Sequence, residues 1–256
     1  MQLEMLKNIV REAGLMALSY AGKFHHELKD DESPVTEADL LVQDFLQKRL
    51  KSLYPDYKFL GEEIFSSTPK ESFTEDDYIW VVDPIDGTDS FREGLSSWGI
   101  SIGLVHKFQP VLGIFYMPAI DTLFSSDQNG VAYENGRVLP PLHPHTSSSF
   151  YVTSDFHLEF DSTFPGKLRC MGSTVAHICY IARGAGCGAL IRGFPWDLAA
   201  GLAILHAVGG QALTLDKKPF DFAWHMRNIR ESVCLFISPS ADTPDYISLF
   251  SKKTMT

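Results

Sequence analysis

The residues best suited to chemistry fall in IWVVDPIDGTDSF, positions 79–91. With Tyr78 before it, its aromatic and β-branched start, Ile79–Val82, predicts a buried strand that delivers Asp83 at its C-terminal end. Pro84 halts the strand ladder, Asp86 follows three residues after Asp83, and Gly87 and Thr88 open a short helix. Two carboxylates then stand beside unpaired backbone N–H groups. A cation on Asp83 and Asp86 would lie next to an anion held by the amides of Gly87 and Thr88, and a metal with a phosphate is the pair that fits. Gly87 matters because a Cβ there would limit close approach of backbone to ligand. Taken alone, Asp-Pro-x-Asp-Gly-Thr also reads as a polar turn after a strand.

Further carboxylates bear on that choice. Glu62 and Glu63 directly follow the short apolar pair Phe59-Leu60. Neighbouring side chains of an extended segment point opposite ways, so one faces the cation and the other supports it from behind. Alone, Gly-Glu-Glu is a solvated loop. Asp197 sits in the first turn of an apolar helix in PWDLAAGLAIL, where a negative charge is favourable in any case. Asp39 occupies the third helical position after Thr36, the spacing of a capping box. Asp39, Glu62, Glu63, Asp83, Asp86 and Asp197 account for six of the ten excess negative charges. If they converge, their repulsion requires cations, and an oxygen-only donor set selects Mg2+ or Mn2+ over zinc.

The elements that must position these groups change character along the chain. Residues 3–29 predict a helix with Leu3, Leu6, Ile9, Val10, Ala13 and Ala17 on one face. After the polar break KDDESP, a second helix carries Leu41, Val42, Phe45, Leu46, Leu50 and Leu53, is capped by Thr36, and is closed by Pro55. Strands are expected at 98–106, 111–117, 122–125 and 131–133, with Asn135-Gly136 as a hairpin turn. A Pro/His/Ser stretch, 140–149, marks a boundary between lobes 1–142 and 143–256. Beyond it, strands at 150–153, 188–191, 211–215 and 233–238 alternate with helices at 173–183, 196–208 and 243–250. This order predicts an α+β lobe joined to an α/β lobe.

Composition excludes several classes. The 256 residues are 45% apolar and 21% charged, which argues against disorder, and 22 basic against 32 acidic side chains give a formal charge of −10. No Lys/Arg-rich block suggests a nucleic-acid or anionic-membrane partner. No apolar run is long enough to span a bilayer, and the N-terminus is amphipathic rather than a signal peptide, so a cytoplasmic protein is expected. Cys170, Cys179, Cys187 and Cys234 lack metal spacing and read as small buried hydrophobes. GAGCGA, 184–189, follows a helix and precedes a strand, the reverse of a dinucleotide-binding turn. His143 and His145 lie in the Pro-rich loop, as surface residues.

DPIDGTDSF followed by PWDLAAGLAILHAVGG resembles the two signature motifs of the inositol monophosphatase family, and GEE and SPVTEAD match its upstream segments in order and spacing. The resemblance covers nearly the whole chain. It implies a layered α-β-α-β-α sandwich and metal-dependent hydrolysis of a small phosphorylated metabolite. It further implies that Glu62, Asp83 and the Ile85 carbonyl hold one Mg2+. Asp83, Asp86 and Asp197 would hold a second, with Glu62 near a third, weaker site; Mn2+ is an alternative ion. Thr88 would position the attacking water, Asp39 would orient the Thr88 hydroxyl, and Glu62 would help accept the proton. Gly87 and Thr88 would bind phosphate through their amides, and Glu63 would support the site from behind.

On the substrate side the resemblance points to Arg169, Gly172, Ser173 and Thr174. The inositol-selective members carry a Glu a few residues before Trp-Asp, where this chain has Leu190, Ile191 and Arg192. An apolar side chain cannot accept a hydroxyl proton, and Arg192 suits an anionic or second phosphate group or the solvent. DSFREGLSSWGISIGL also resembles histidinol-phosphate phosphatases, for which Asp89 or Glu93 would neutralise an amine. A bisphosphate substrate, such as fructose bisphosphate or phosphoadenosine phosphate, is a further alternative. So is a regulatory binding protein that keeps the fold, against which the complete acidic set argues. Similar enzymes are commonly homodimers.

Overall fold

The computed structural model describes residues 2–22, 26–28, 34–67, 73–143, 148–239 and 245–253. Helix α1 (Leu3–Leu18) buries Leu6, Ile9, Val10, Ala13 and Ala17 at helical spacing. It ends well before residue 29. A turn with Gly22 at φ 72° breaks the helical path, and β1 (His26–Leu28) pairs antiparallel with β2 (Pro34–Thr36). Most of KDDESP, residues 29–33, lies outside the described residues, as does the Thr36 side chain expected as a cap. In α2 (Glu37–Leu53) the buried stripe is Ala38, Val42, Leu46 and Leu50, with Asp39 and Gln43 beside it. Leu41 and Leu53 were expected in that stripe but lie on its solvent flank, because only one i, i+4 row can face the sheet.

Both helices cover a seven-stranded sheet built in chain order from β3 (Lys58–Gly61), β4 (Tyr78–Asp86), β5 (Gly99–His106), β6 (Gln109–Met117), β7 (Thr122–Ser126), β8 (Ala132–Glu134) and β9 (Arg137–Val138). The first pair is parallel and the others are antiparallel. Residues along β4 alternate: Trp80 and Val82 pack with α1 and α2, while Ile79 and Val81 join the core on the opposite face. Asn135 and Gly136, at φ 48° and 78°, make the two-residue β8–β9 turn.

A five-stranded sheet lies beyond that second face. Its order is β12 (Lys167–Arg169), β10 (Ser149–Val152), β13 (Ala189–Gly193), β15 (Val233–Ser238), β14 (Gln211–Thr214). Helices α5 (Thr174–Ala182) and α6 (Pro195–Ala207) fill the layer between the sheets. Helix α6 buries residues around its whole circumference, as a helix between two sheets must. It also rides unusually close to β5 and β6. A Cβ on Gly103 would stand 2.6 Å from the Ala199 Cβ, and one on Gly113 would collide with the Ala200 carbonyl.

The outer face of the small sheet carries α4 (Phe156–Glu159) and a ribbon of β11 (Phe160–Ser162) with β16 (Phe250–Lys252). The layers are therefore α-β-α-β-α, the last being a short helix with a ribbon. The helix expected at 243–250 is not what covers this face. Residues 243–244 lie outside the described residues, Ile247–Leu249 make one 3-10 turn, and Phe250 enters β16 with its ring 4.6 Å from Phe150. Extended backbone lets Phe250 lie on the sheet while its main chain pairs with β11. Helix α7 (Phe222–Arg227) was not anticipated; Asp221 caps it by accepting from the Trp224 amide at 2.9 Å.

Candidate active site

Strand β4 does not stop at Pro84. Asp83 pairs with Ser101 and Asp86 with Gly99, so three residues of β4 span two of β5 and the ladder resumes after a bulge. The bulge lies at the C-terminal end of β4 and takes both carboxylates out of its regular pleat. Asp83 Oδ1 accepts from the Ile85 amide at 2.9 Å, which holds the bend. Gly87, at φ 93°, then starts α3 (Thr88–Arg92), where a Cβ would stand 2.8 Å from the Gly172 carbonyl oxygen. Glycine is required there twice over, by conformation and by space.

The close seat of α6 over β5 and β6 brings Asp197 to the same end. Asp83, Asp86 and Asp197 present carboxylate oxygens within 4.8 Å of one another, and the first two are buried. Among the described residues no lysine or arginine pairs with any of the three. Burial pushes the Asp83 carboxyl well above its ordinary range, with Glu62, Asp86, Asp197 and Asp39 adding repulsion. Asp197 is raised by burial and by Glu62 and Asp86. Asp86 is pushed up to about 7 by burial, against hydrogen bonds that favour its ionised form. A cluster of oxygen donors that resists ionising without a positive charge is what a hard divalent cation fits.

The support of Asp86 was not legible beforehand. The N-terminus of α5 wraps it: the Ser173 hydroxyl donates to one oxygen, and the Thr174 and Val175 amides donate at 3.1 Å each. Ser173 also caps α5 by accepting from the Ala176 amide at 3.0 Å. Asp197 accepts from the Phe194 amide at 2.6 Å, a contact between the third helical position and the N-cap. The pattern Ser-x-x-Ala before an apolar helix signals the Ser173 cap, but nothing in it names Asp86 as a partner 87 residues away.

Glu62 and Glu63 are not in an extended segment. They open a 3-10 turn, Glu62–Ser67, directly after β3, so their side chains diverge by about a third of a turn rather than to opposite faces. The turn is anchored on α2, where Gln43 Oε1 accepts from the Glu63 amide at 2.9 Å. Asp39 is buried in the first turn of α2 and acts electrostatically on Asp83. The Thr88 hydroxyl donates to the Ile85 carbonyl at 3.2 Å.

Glu62, Gly87, Thr88, Asp89 and Glu93 line a cavity of about 670 Å3. It adjoins one of about 320 Å3 lined by Asp89, Ser173, Thr174, Arg192 and Asp197. Arg192 pairs with Glu159, its carbonyl accepts from the Thr174 hydroxyl at 3.0 Å, and Asp89 pairs with Arg92 at 2.9 Å. Leu190 faces away, into the core outside the small sheet. All four cysteines are free; Cys179 and Cys187 are buried and Cys234 is half-buried, whereas Cys170, which follows the edge strand β12, is exposed at the cleft. His143 is exposed, and His145 lies outside the described residues. No helix among the described residues is long and apolar enough to cross a membrane.

Comparison with known proteins gives the same picture. The model of the inositol monophosphatase family matches residues 2–233. Inositol monophosphatase 1 of Solanum lycopersicum is 32% identical over 73% of this chain and 74% of its own. A histidinol-phosphatase of Chlorobaculum parvum is 27% identical over 81% of this chain and 83% of its own. Among solved structures, the Thermotoga maritima IMPase superposes with a TM-score of 0.81 at 23% identity, covering 97% of this chain and 96% of that one.

Proposed function

This chain belongs to the inositol monophosphatase family, a family of phosphatases that hydrolyse phosphate monoesters with metal ions, and on that premise we propose an Mg2+-dependent phosphatase of a small phosphorylated polyol or sugar. The observation that carries the reading is the meeting of Asp83 and Asp86 from β4 with Asp197 from α6, within 4.8 Å. Asp83, Asp86 and Asp197 would hold one Mg2+, Glu62, Asp83 and the Ile85 carbonyl would hold another, and Glu62 would adjoin a third, weaker site. Mn2+ suits the same oxygen donors. When bound, these ions neutralise the phosphate dianion and acidify the attacking water.

The chain's own groups do the rest. Gly87 and Thr88 bind phosphate through their amides, and the Thr88 hydroxyl positions the water. Asp39 would orient that hydroxyl in place of the Ile85 carbonyl, which accepts it at 3.2 Å in the structure, and Glu62 would accept the water's proton. Asp89, Ser173, Thr174 and Arg192 face the leaving group. Residues 1–142 and 143–256 act as two lobes, the first supplying Asp83 and Asp86 and the second Asp197. The working form is a homodimer in the cytoplasm, without nucleic-acid or membrane partners.

A second reading is histidinol phosphate or a related amino-alcohol phosphate. The exposed carboxylate of Asp89 on the cleft and the histidinol-phosphatase among the relatives favour it. Phosphate release from a panel of inositol phosphate, histidinol phosphate, fructose bisphosphate and phosphoadenosine phosphate, with Mg2+ and with chelator, tests both. We expect Mg2+-dependent turnover that is highest on a monoester. Chelator-resistant turnover, or none on any member, defeats the proposal.

A further inference from the structure

Two of the carboxylate-bearing segments meet through aromatic side chains, of which Phe65 and Phe194 lie outside the motifs and Trp196 inside the second of them. The 3-10 turn that starts with Glu62 carries Phe65 one turn further on. The Phe65 ring centroid lies 4.7 Å from that of Trp196 at 41°, and 6.3 Å from that of Phe194 at 33°. Phe194 and Trp196 stack on each other at 4.9 Å and 13°, and Trp196 is 3% exposed. These two residues flank the start of α6: Phe194 donates its amide to Asp197, and Trp196 immediately precedes Asp197. The Glu62 turn is thus held by Gln43 on α2 and by Phe65 on the Asp197 segment, among other contacts.

We propose that Phe65 is a positioning residue, whose packing on Trp196 locks the Glu62 turn to the N-terminus of α6 and so sets the metal affinity of the site. The inference rests on the reading of Glu62 and Asp197 as cation ligands. Like-charged carboxylates from separate elements repel one another until a cation arrives, so something else must hold them at working separation. Burial and ring contact between Phe65, Trp196 and Phe194 supply an attraction that does not depend on ionisation. Losing such a support resembles losing an outer partner of a metal ligand, which weakens metal binding about 10- to 100-fold.

Titration calorimetry of Mg2+ into the chelator-stripped full chain, alongside kcat at saturating Mg2+, provides the test. For Phe65→Ala we expect Mg2+ to bind about tenfold more weakly while kcat at saturation changes less than about threefold. Phe65→Tyr, which keeps the ring, restores the affinity. Should Phe65→Ala fail to fold cooperatively, Phe65→Leu removes the ring and keeps the bulk, with binding weakened about threefold. A folded ring-less variant with the affinity of the unaltered chain overturns the positioning role and leaves the site intact. If the unaltered chain itself binds no Mg2+, the reading of the site falls, and this inference with it.

Discussion

Two buried polar regions of this protein face the same dielectric penalty and answer it differently. At one end of β4 and α6, Asp83, Asp86 and Asp197 gather like charges whose acidities burial and repulsion suppress. Beside α7, His225 is fully buried, within 5.5 Å of the Phe220 ring and 6.2 Å of the Phe222 ring. Its Nε2 donates to the Glu231 carbonyl at 2.7 Å, and burial lowers its pKa to about 4. The histidine lowers the penalty by staying neutral and donating to a backbone carbonyl, although its buried Nδ1 has no hydrogen-bond partner among the described residues. The carboxylates cannot all escape it that way, and only a cation relieves them together. A buried group that neutrality and one backbone contact accommodate is structural; a group that remains frustrated points to function.

The comparison breaks most readily at Asp83. Asp83→Asn keeps an oxygen to accept from the Ile85 amide but removes a charge from the cluster. Turnover with Mg2+ should fall by about two orders of magnitude or more, while the chelated variant melts at or above the temperature of the unaltered chain. Retained turnover would remove Asp83 from the metal site; a lower melting temperature would show that the cluster is not frustrated.

His225 sharpens the contrast through pH. Its folded value of about 4 lies below the ordinary value of 6.5, so as pH falls the unfolded chain takes up the proton first. The stability of its neutral burial is whole above about pH 6.5 and is lost as pH falls toward 4, with an upper limit of about 3 kcal/mol. His177, buried beneath the cleft and also at about 4, contributes in the same direction. His225→Gln should therefore lose less stability than the unaltered chain when both are acidified from pH 6.5 to 4.5 in chelator. Denaturant midpoints measure the difference, and equal losses would contradict a neutral buried His225. Asp86 runs the other way without metal: its value of about 7 stands above 3.8, so its ionisation costs stability as pH rises across that interval.

The smallest effect belongs to the surface. Lys48 and Asp44 form an i, i+4 pair at 2.7 Å with both side chains more than half exposed. Lys48→Ala should shift the thermal midpoint by less than about 2 °C. A larger shift would mean that exposed pairs matter here as much as buried ones.

Much of the site could be read from local order. Asp83, Asp86 and Gly87 declare themselves because strand, proline and glycine follow one another within a few residues. Asp197 declares itself because an acid opens an otherwise apolar helix. What hid were the long-range contacts. No local pattern shows that Ser173 and the Thr174 and Val175 amides would hold Asp86, that Gln43 would anchor Glu63, or that Phe65 would find Trp196. The fold divides similarly. The strands from Gly99 to Tyr133 follow from apolar, β-branched runs and the last hairpin from Asn135-Gly136, whereas the parallel pairing of β12 with β10 and β10 with β13 joins distant segments.

By itself the sequence determined the acidic inventory, the buried strand that carries Asp83, the glycine that must follow Asp86, and the apolar helix around Asp197. It could do so because secondary structure and turn chemistry depend on neighbours a few residues away. Only the tertiary structure decided that α6 lies close enough to β5 and β6, over Gly103 and Gly113, to bring Asp197 within 4.8 Å of Asp83 and Asp86. Packing density between layers sets that distance, and it depends on side chains that lie far apart along the chain.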